Sequence, residues 1–118
     1  MPTIRTGWTD LNNWPMTEKN VTYSVIVPVY NRPAEVEELL DSLLRQTARN
    51  FEVIIVEDGS TVPCGDIVDK YVAKGLNARY FPKENEGRSI ARNYGLEKAS
   101  GEYFIFFDSD CVIPADYF

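Results

Sequence analysis

The 118-residue sequence contains no histidine and only two cysteines, Cys64 and Cys111, which do not form a CxxC pair. Without imidazoles or clustered thiols the ordinary ligand sets of zinc are excluded, and two isolated thiols fit a reducing, cytoplasmic compartment better than a disulfide scaffold. Long apolar runs are also lacking. The longest, Tyr23 to Tyr30 and Tyr103 to Phe107, are far short of the ~20 residues of a membrane-spanning helix. The N-terminus shows no basic-then-apolar secretory pattern, so the expectation is a soluble chain, with membrane association through a region outside it left open. Basic runs are missing as well: twelve Lys and Arg are dispersed among eighteen Asp and Glu, for a formal charge of −6. That balance argues against nucleic acid as a partner. It still admits a nucleoside diphosphate where a cation or a helix N-terminus supplies a local positive field.

What is present reads as one globular domain, with 44% apolar and 25% charged residues. Residues 1–22, with Trp8 and Trp14 among polar residues and prolines, show neither helical nor strand period and read as an N-terminal extension. From Tyr23 to Phe118 short apolar runs alternate with amphipathic helices. Strand one is Tyr23 to Val29. Pro33 opens a helix with its apolar stripe at Val36, Leu39, Leu40, Leu43 and Leu44. Glu35, Glu37 and Glu38 crowd the positive end of that helix, with Arg45 near its negative end. Strand two is Phe51 to Glu57. A second helix has Ile67, Val68, Tyr71 and Val72 on its inner face and Gly75 as its stop. Strand three spans roughly Ala78 to Phe81. A third helix begins near Arg88, carries Ala91, Gly95 and Ala99 at four-residue intervals for close approach to the sheet, and ends at Gly101; strand four is Tyr103 to Phe107.

This βαβαβαβ pattern predicts an α/β, Rossmann-like parallel sheet of order 3-2-1-4 with helices on both faces. Ligands of such sheets bind beyond the carboxyl ends of the strands where the order reverses, here between strands one and four. The residues at those ends are Pro28-Val29-Tyr30-Asn31, Glu57-Asp58-Gly59-Ser60 and Asp108-Ser109-Asp110. Two carboxylates at the rim of a buried strand repel each other unless a cation intervenes, and hard oxygen ligands suit Mg²⁺ or Mn²⁺. The same residues also serve as ordinary turn caps. Asp58 is placed to accept the ring N–H of a uracil or guanine, or else simply to turn the chain into Gly59 and Ser60. Tyr30 offers a ring face to a base or packs locally, and Asn31 serves as a turn residue or a ligand. Asn85-Glu86-Gly87-Arg88 brings a glycine turn, a helix N-terminus and an arginine to the same rim, with Arg92 one turn on, a setting for phosphate. Neither GxGxxG nor a GxxxxGKS or GxxxxGKT loop is present, which disfavours a nicotinamide dehydrogenase and a P-loop enzyme.

Taken in order, Ser24-Val25-Ile26-Val27-Pro28-Val29-Tyr30-Asn31, Val56-Glu57-Asp58-Gly59-Ser60, Asn85-Glu86-Gly87 with Ala91-Arg92-Asn93-Tyr94-Gly95, and Phe107-Asp108-Ser109-Asp110 resemble family 2 glycosyltransferases across about Tyr23 to Phe118. The resemblance implies a GT-A fold and inverting transfer of a sugar from a nucleoside diphosphate donor, with a UDP-sugar favoured, to a hydroxyl acceptor. It implies that Pro28, Tyr30 and Asp58 line the nucleoside pocket, with Asn31 and Glu57 beside them. Asp108 contacts the ribose or a metal-bound water, and Asp108 and Asp110 hold Mn²⁺ or Mg²⁺. Arg88 and Arg92 support the diphosphate, or Arg92 braces the acidic loop. Glu57 stands where such proteins often have a second Asp. No segment corresponds to the family's acceptor pocket and general base, so the expectation is a donor-binding portion, inactive alone. The alternatives are a non-catalytic nucleotide-sugar-binding or assembly module and, more distantly, a phospho-receiver-like domain, which lacks its late Lys here. Strand four, as an uncovered edge, leads to an expectation of self-association unless the Trp-containing extension folds over it.

Overall fold

The structure, a computed structural model, describes residues 21–109 together with 113 and 114. Nearly all of the extension expected over 1–22 lies outside these residues, as do Asp110 and Cys111. Among the described residues four strands and three helices alternate: β1 (Tyr23–Val29), α1 (Pro33–Leu44), β2 (Phe51–Asp58), α2 (Gly65–Ala73), β3 (Ala78–Lys83), α3 (Arg88–Lys98) and β4 (Tyr103–Phe106). The strands form one sheet in the order β3-β2-β1-β4, every pair parallel. This is the α/β sheet of order 3-2-1-4 that the sequence pattern predicts.

The chain direction dictates which face each helix covers. From β1 to β2 to β3 the chain steps one way, then it returns across the sheet to place β4 beside β1. With right-handed crossovers, the first two connections lie on one face and the third on the other. Accordingly Val25, Val27, Val29, Val53 and Ile55 pack under α1 and α2 through Val36, Leu39, Leu40, Leu43, Val68 and Tyr71. The alternate residues Ile26, Ile54 and Val56 meet Ala91 of α3, as the two-residue period of a strand requires. β2 is buried along its whole length because it has neighbours on both sides and helices on both faces. Ile113 rejoins the first core, and its N–H donates to Ser42 Oγ of α1 at 3.1 Å.

Several local expectations shift. β2 and β3 run on to Asp58 and Lys83, because Glu57↔Pro82 and Asp58↔Lys83 continue their register, whereas β4 stops at Phe106. Val72 is 43% exposed, so the inner face of α2 is carried by Val68 and Tyr71 with the partly buried Ile67. Gly101 does not end α3, which stops at Lys98. Instead it passes so close to β1 that a Cβ there would lie 2.7 Å from Ser24 Oγ. The small-residue stripe does bring α3 onto the sheet: a Cβ on Gly95 would meet Ile26 Cγ2 at 2.6 Å. Among the described residues no helix is long and apolar enough to cross a membrane.

Candidate functional site

Where the strand order reverses, the loops after β1, β2 and β3 and the end of β4 surround a cleft of about 390 Å³. Pro28, Val29, Tyr30 and Arg32 line it from β1 and its turn, and Asp58 from the end of β2. Asn85, Gly87 and Arg88 come from the β3–α3 turn, and Asp108 and Ser109 from beyond β4. Of the residues expected here, Pro28, Tyr30, Asp58, Arg88 and Asp108 therefore meet. Asn31, Glu57 and Arg92 do not line the cleft, and Asp110 falls outside the described residues.

The last two residues of β2 are adjacent carboxylates, and the pleat sends them to opposite faces. Asp58, 5% exposed, points to the α3 side. One of its oxygens accepts the Glu86 N–H at 2.9 Å and the other the Gly87 N–H at 3.0 Å. Asn85 Nδ2 adds a 3.1 Å bond to the Asp58 carbonyl. The carboxylate thus holds the backbone that leads into α3 and sets where Arg88 begins. A carboxylate has about four lone-pair positions, so acceptor capacity is left for a ligand. Lys83, itself nearly buried, lies 3.6 Å from Asp58 and bonds Glu86. The Glu86 bond is the main reason its pKa is raised, against the opposing effect of burial. Gly59 is required at this crossing: its φ is +71° and a Cβ would fall 2.5 Å from Asn85 N.

Glu57, 3% exposed, points to the other face. It accepts hydrogen bonds from Ser60 Oγ, from Cys64 N at 2.8 Å and from Tyr80 Oη at 2.6 Å. Burial first, and then the charge of Glu57, push the Cys64 thiol up to about 12, which keeps it protonated and inert. Asn31 has a left-handed backbone, φ +53°, and bridges to the β2–α2 loop. Its N–H donates to Ser60 Oγ at 2.8 Å, and its Oδ1 accepts from Thr61 N, Thr61 Oγ1 and Val62 N at 2.8, 3.2 and 3.0 Å.

At the other side of the cleft, Arg88 and Asp108 face each other at 4.0 Å, both largely exposed, a geometry of small energetic weight that leaves each free for another partner. Arg92 lies with its guanidinium 5.5 Å from the Phe106 ring centroid, and its Nε is buried with no hydrogen-bond partner among the described residues. It braces the end of β4 rather than lining the cleft. Among the described residues no group of three metal-ligating side chains gathers. The rim instead offers the exposed carboxylate of Asp108, an oxygen donor that suits Mg²⁺ or Mn²⁺ completed by water and phosphate oxygens.

Lys83 and the bridging parts of Ser60 and Thr61 carry no signal in the sequence, because their partners stand 25 to 30 residues away and only the fold joins them.

The model of the family described as Glycosyl transferase family 2 matches residues 24–118. An uncharacterized glycosyltransferase of Rickettsia bellii is 45% identical over 92 residues, covering 78% of this chain and 13% of that protein. The S. aureus TarS fragment 1–349 in complex with UDP superposes with a TM-score of 0.74 at 40% identity, covering 80% of this chain and 29% of that one. The mannosyltransferase PcManGT of Pyrobaculum calidifontis, in complex with GDP-Man and Mn²⁺, superposes with a TM-score of 0.74 at 31% identity, covering 84% and 30%. The chain thus spans less than a third of each of these three proteins.

Proposed function

We propose, since the chain belongs to glycosyl transferase family 2, that it is the donor-binding portion of an enzyme that transfers a sugar, with inversion, from a nucleoside diphosphate to a hydroxyl acceptor. The observation that carries this reading is the cleft at the strand-order reversal, which has an aromatic ring and a carboxylate on one wall and an arginine and a carboxylate on the other. Tyr30, 51% exposed, offers a ring face to the base. Asp58 accepts a ring N–H of that base, which serves uracil and guanine alike, and Pro28 closes the floor between them. The binding of UDP by TarS and of GDP-Man by PcManGT supports both choices; the 40% identity to TarS favours a UDP-sugar.

Arg88, carried at the start of α3, faces the diphosphate, where its donors and the helix N-terminus act together. Asp108, with Asp110, would hold Mn²⁺ or Mg²⁺. Bound there, the cation would stabilise charge on the departing nucleoside diphosphate. The acceptor pocket and the base that takes the hydroxyl proton belong to residues outside this chain in this reading, so the chain alone binds donor without turnover. Cys64, a free and buried thiol, fits the reducing, cytoplasmic setting proposed for it. The edge of β4, unpaired on its outer side among the described residues, leads us to add self-association of the isolated chain to the proposal.

The test is calorimetric titration with UDP and GDP, with and without Mn²⁺, on the wild type and on Asp110→Ala. The wild type binds one nucleotide more tightly when Mn²⁺ is present, and Asp110→Ala loses that enhancement while its unfolding midpoint is unchanged. Equal metal enhancement in both proteins would overturn the metal assignment. Absence of nucleotide binding in the wild type would overturn the donor reading itself.

A further inference from the structure

Glu57 has the position of a ligand and the surroundings of a strut. It directly precedes Asp58 at the mouth of the cleft, yet it is 3% exposed and none of its atoms lines the cleft. Its partners come from three places: the Ser60 hydroxyl in the loop after β2, the Cys64 N–H at the start of α2, and the Tyr80 hydroxyl of β3. Gly65 fits against that tyrosine, where a Cβ would lie 3.1 Å from Tyr80 Cε2. A buried carboxylate with three donors is fixed in place, since releasing any one leaves a charged group short of a bond.

Ser60 passes that fixity onward. Its hydroxyl donates to Glu57 and accepts the Asn31 N–H, so the orientation of one bond fixes the other. Asn31 is the residue held at φ +53°, in the left-handed region that Asn tolerates better than most residues. Its side-chain oxygen takes three further donors from Thr61 and Val62. The turn after β1 is therefore stitched to a loop that is itself anchored on Glu57. The residue immediately before Asn31 is Tyr30, half exposed on the cleft wall. The φ of Asn31 fixes the peptide plane that follows Tyr30.

We propose that Glu57 is a positioning residue of the nucleoside pocket: through the Ser60 hydroxyl and the Asn31 backbone it sets the wall that carries Tyr30. The proposal rests on the donor-binding reading above. It gives the two carboxylates at the end of β2 separate tasks, Asp58 anchoring the β3–α3 side of the cleft and Glu57 the β1–α1 side.

The test is a double-mutant cycle on the 118-residue chain, with the tighter of UDP and GDP and with pyrophosphate as probes, all in Mn²⁺. Ser60→Ala breaks the relay and leaves the other two Glu57 bonds intact. It is expected to weaken the nucleotide about tenfold and pyrophosphate by less than about twofold. In a Tyr30→Ala background the same substitution is expected to change nucleotide affinity no further, because the wall it positions is gone. Glu57→Gln, which keeps the shape but cannot accept the Ser60 hydroxyl at its nitrogen, gives the same pattern and serves if Ser60→Ala fails to fold. Equal losses for nucleotide and pyrophosphate, or a full loss that persists in the Tyr30→Ala background, would overturn the proposal and leave the donor reading standing. A wild type that binds pyrophosphate as tightly as either nucleotide has no nucleoside pocket, and both readings fall together.

Discussion

Asp58 and Gly59 are the residues on which the cleft turns, and they predict different defects. Asp58→Ala removes a carboxylate and also uncaps the N–H groups of Glu86 and Gly87. Nucleotide binding is expected to weaken by about 1.5–3 kcal/mol, the range of a hydrogen bond to a charged group. Free pyrophosphate should lose less, only the part that Arg88 owes to the turn Asp58 caps; equal losses measured by calorimetry would mean that Asp58 acts through that turn alone and does not read the base. Gly59→Ala touches no ligand. It places a Cβ on a residue at φ +71° and drives it into the backbone of Asn85, so the fold is expected to lose about 2–4 kcal/mol. Urea unfolding measures this, and an unchanged midpoint would refute the close crossing of the two loops. Asp58 and Gly59 were both visible in the sequence as a strand-end pair. That Asp58 also holds a loop 28 residues further on was not, because a hydrogen bond to a distant backbone leaves no local pattern.

Among the elements, β2 carries buried carboxylates at both ends, Glu52 at one and Glu57 with Asp58 at the other, and only the pair at the cleft end bears on the proposed site. Glu52, at the far end, is 4% exposed. It accepts from Ser24 Oγ at 2.6 Å, from Ser100 N and Oγ at 2.7 and 3.0 Å, and from Arg79 Nη2 at 3.0 Å. Burial pushes its pKa up, but the bonds from Ser24 and Ser100 and the charge of Arg79 outweigh it, so the value lies below the ordinary 4.5. As the pH falls, the unfolded chain takes up its proton first. The stabilisation is therefore complete above the unfolded value and lost as the pH drops through the lower folded one. Glu52→Gln is expected to flatten the fall in stability between neutral pH and pH values below about 4. Urea midpoints across that range would check this, and parallel curves for wild type and variant would contradict it. Element identity and order were legible because β1 and β2 are continuous apolar runs and the helices keep their 3.6-residue stripes. Element ends were not: Asp58, Pro82 and Lys83 are poor strand formers by composition and are extended only because their neighbours pair with them.

For the molecule as a whole, the edges of the sheet among the described residues are β3 and β4, and β4 is the more apolar one. Among the described residues it pairs with β1 alone, and Tyr103, Phe104 and Phe106 are 59%, 48% and 41% exposed. A row of unpaired backbone groups beside exposed aromatic rings favours pairing with another chain. The isolated chain is therefore expected to form a dimer at tens of micromolar, most simply a two-fold one. Light scattering decides this, and a clean monomer would show that the surface is covered within the chain. The location of the cleft was legible from topology alone, since the strand order fixes where it reverses. The sorting of Pro28, Tyr30, Asp58, Arg88 and Asp108 into its wall and of Asn31, Glu57 and Arg92 behind it was not: Glu57 and Asp58 adjoin on one strand and differ only by its alternation of faces, and Asn31 and Arg92 are drawn away by partners distant in sequence. That alternation makes the chain intolerant of a particular kind of genetic change. Losing or gaining one codon inside β2 would exchange the sides of Glu57 and Asp58, uncoupling both neighbouring loops at once while leaving composition and charge almost untouched. The same change within 45–50 or 74–77, between elements, shifts no pleat. A single-codon deletion scan read out by folding should therefore show a sharp gap over β2 that runs on into the stitched loop 59–64, with more tolerance in 45–50 and 74–77.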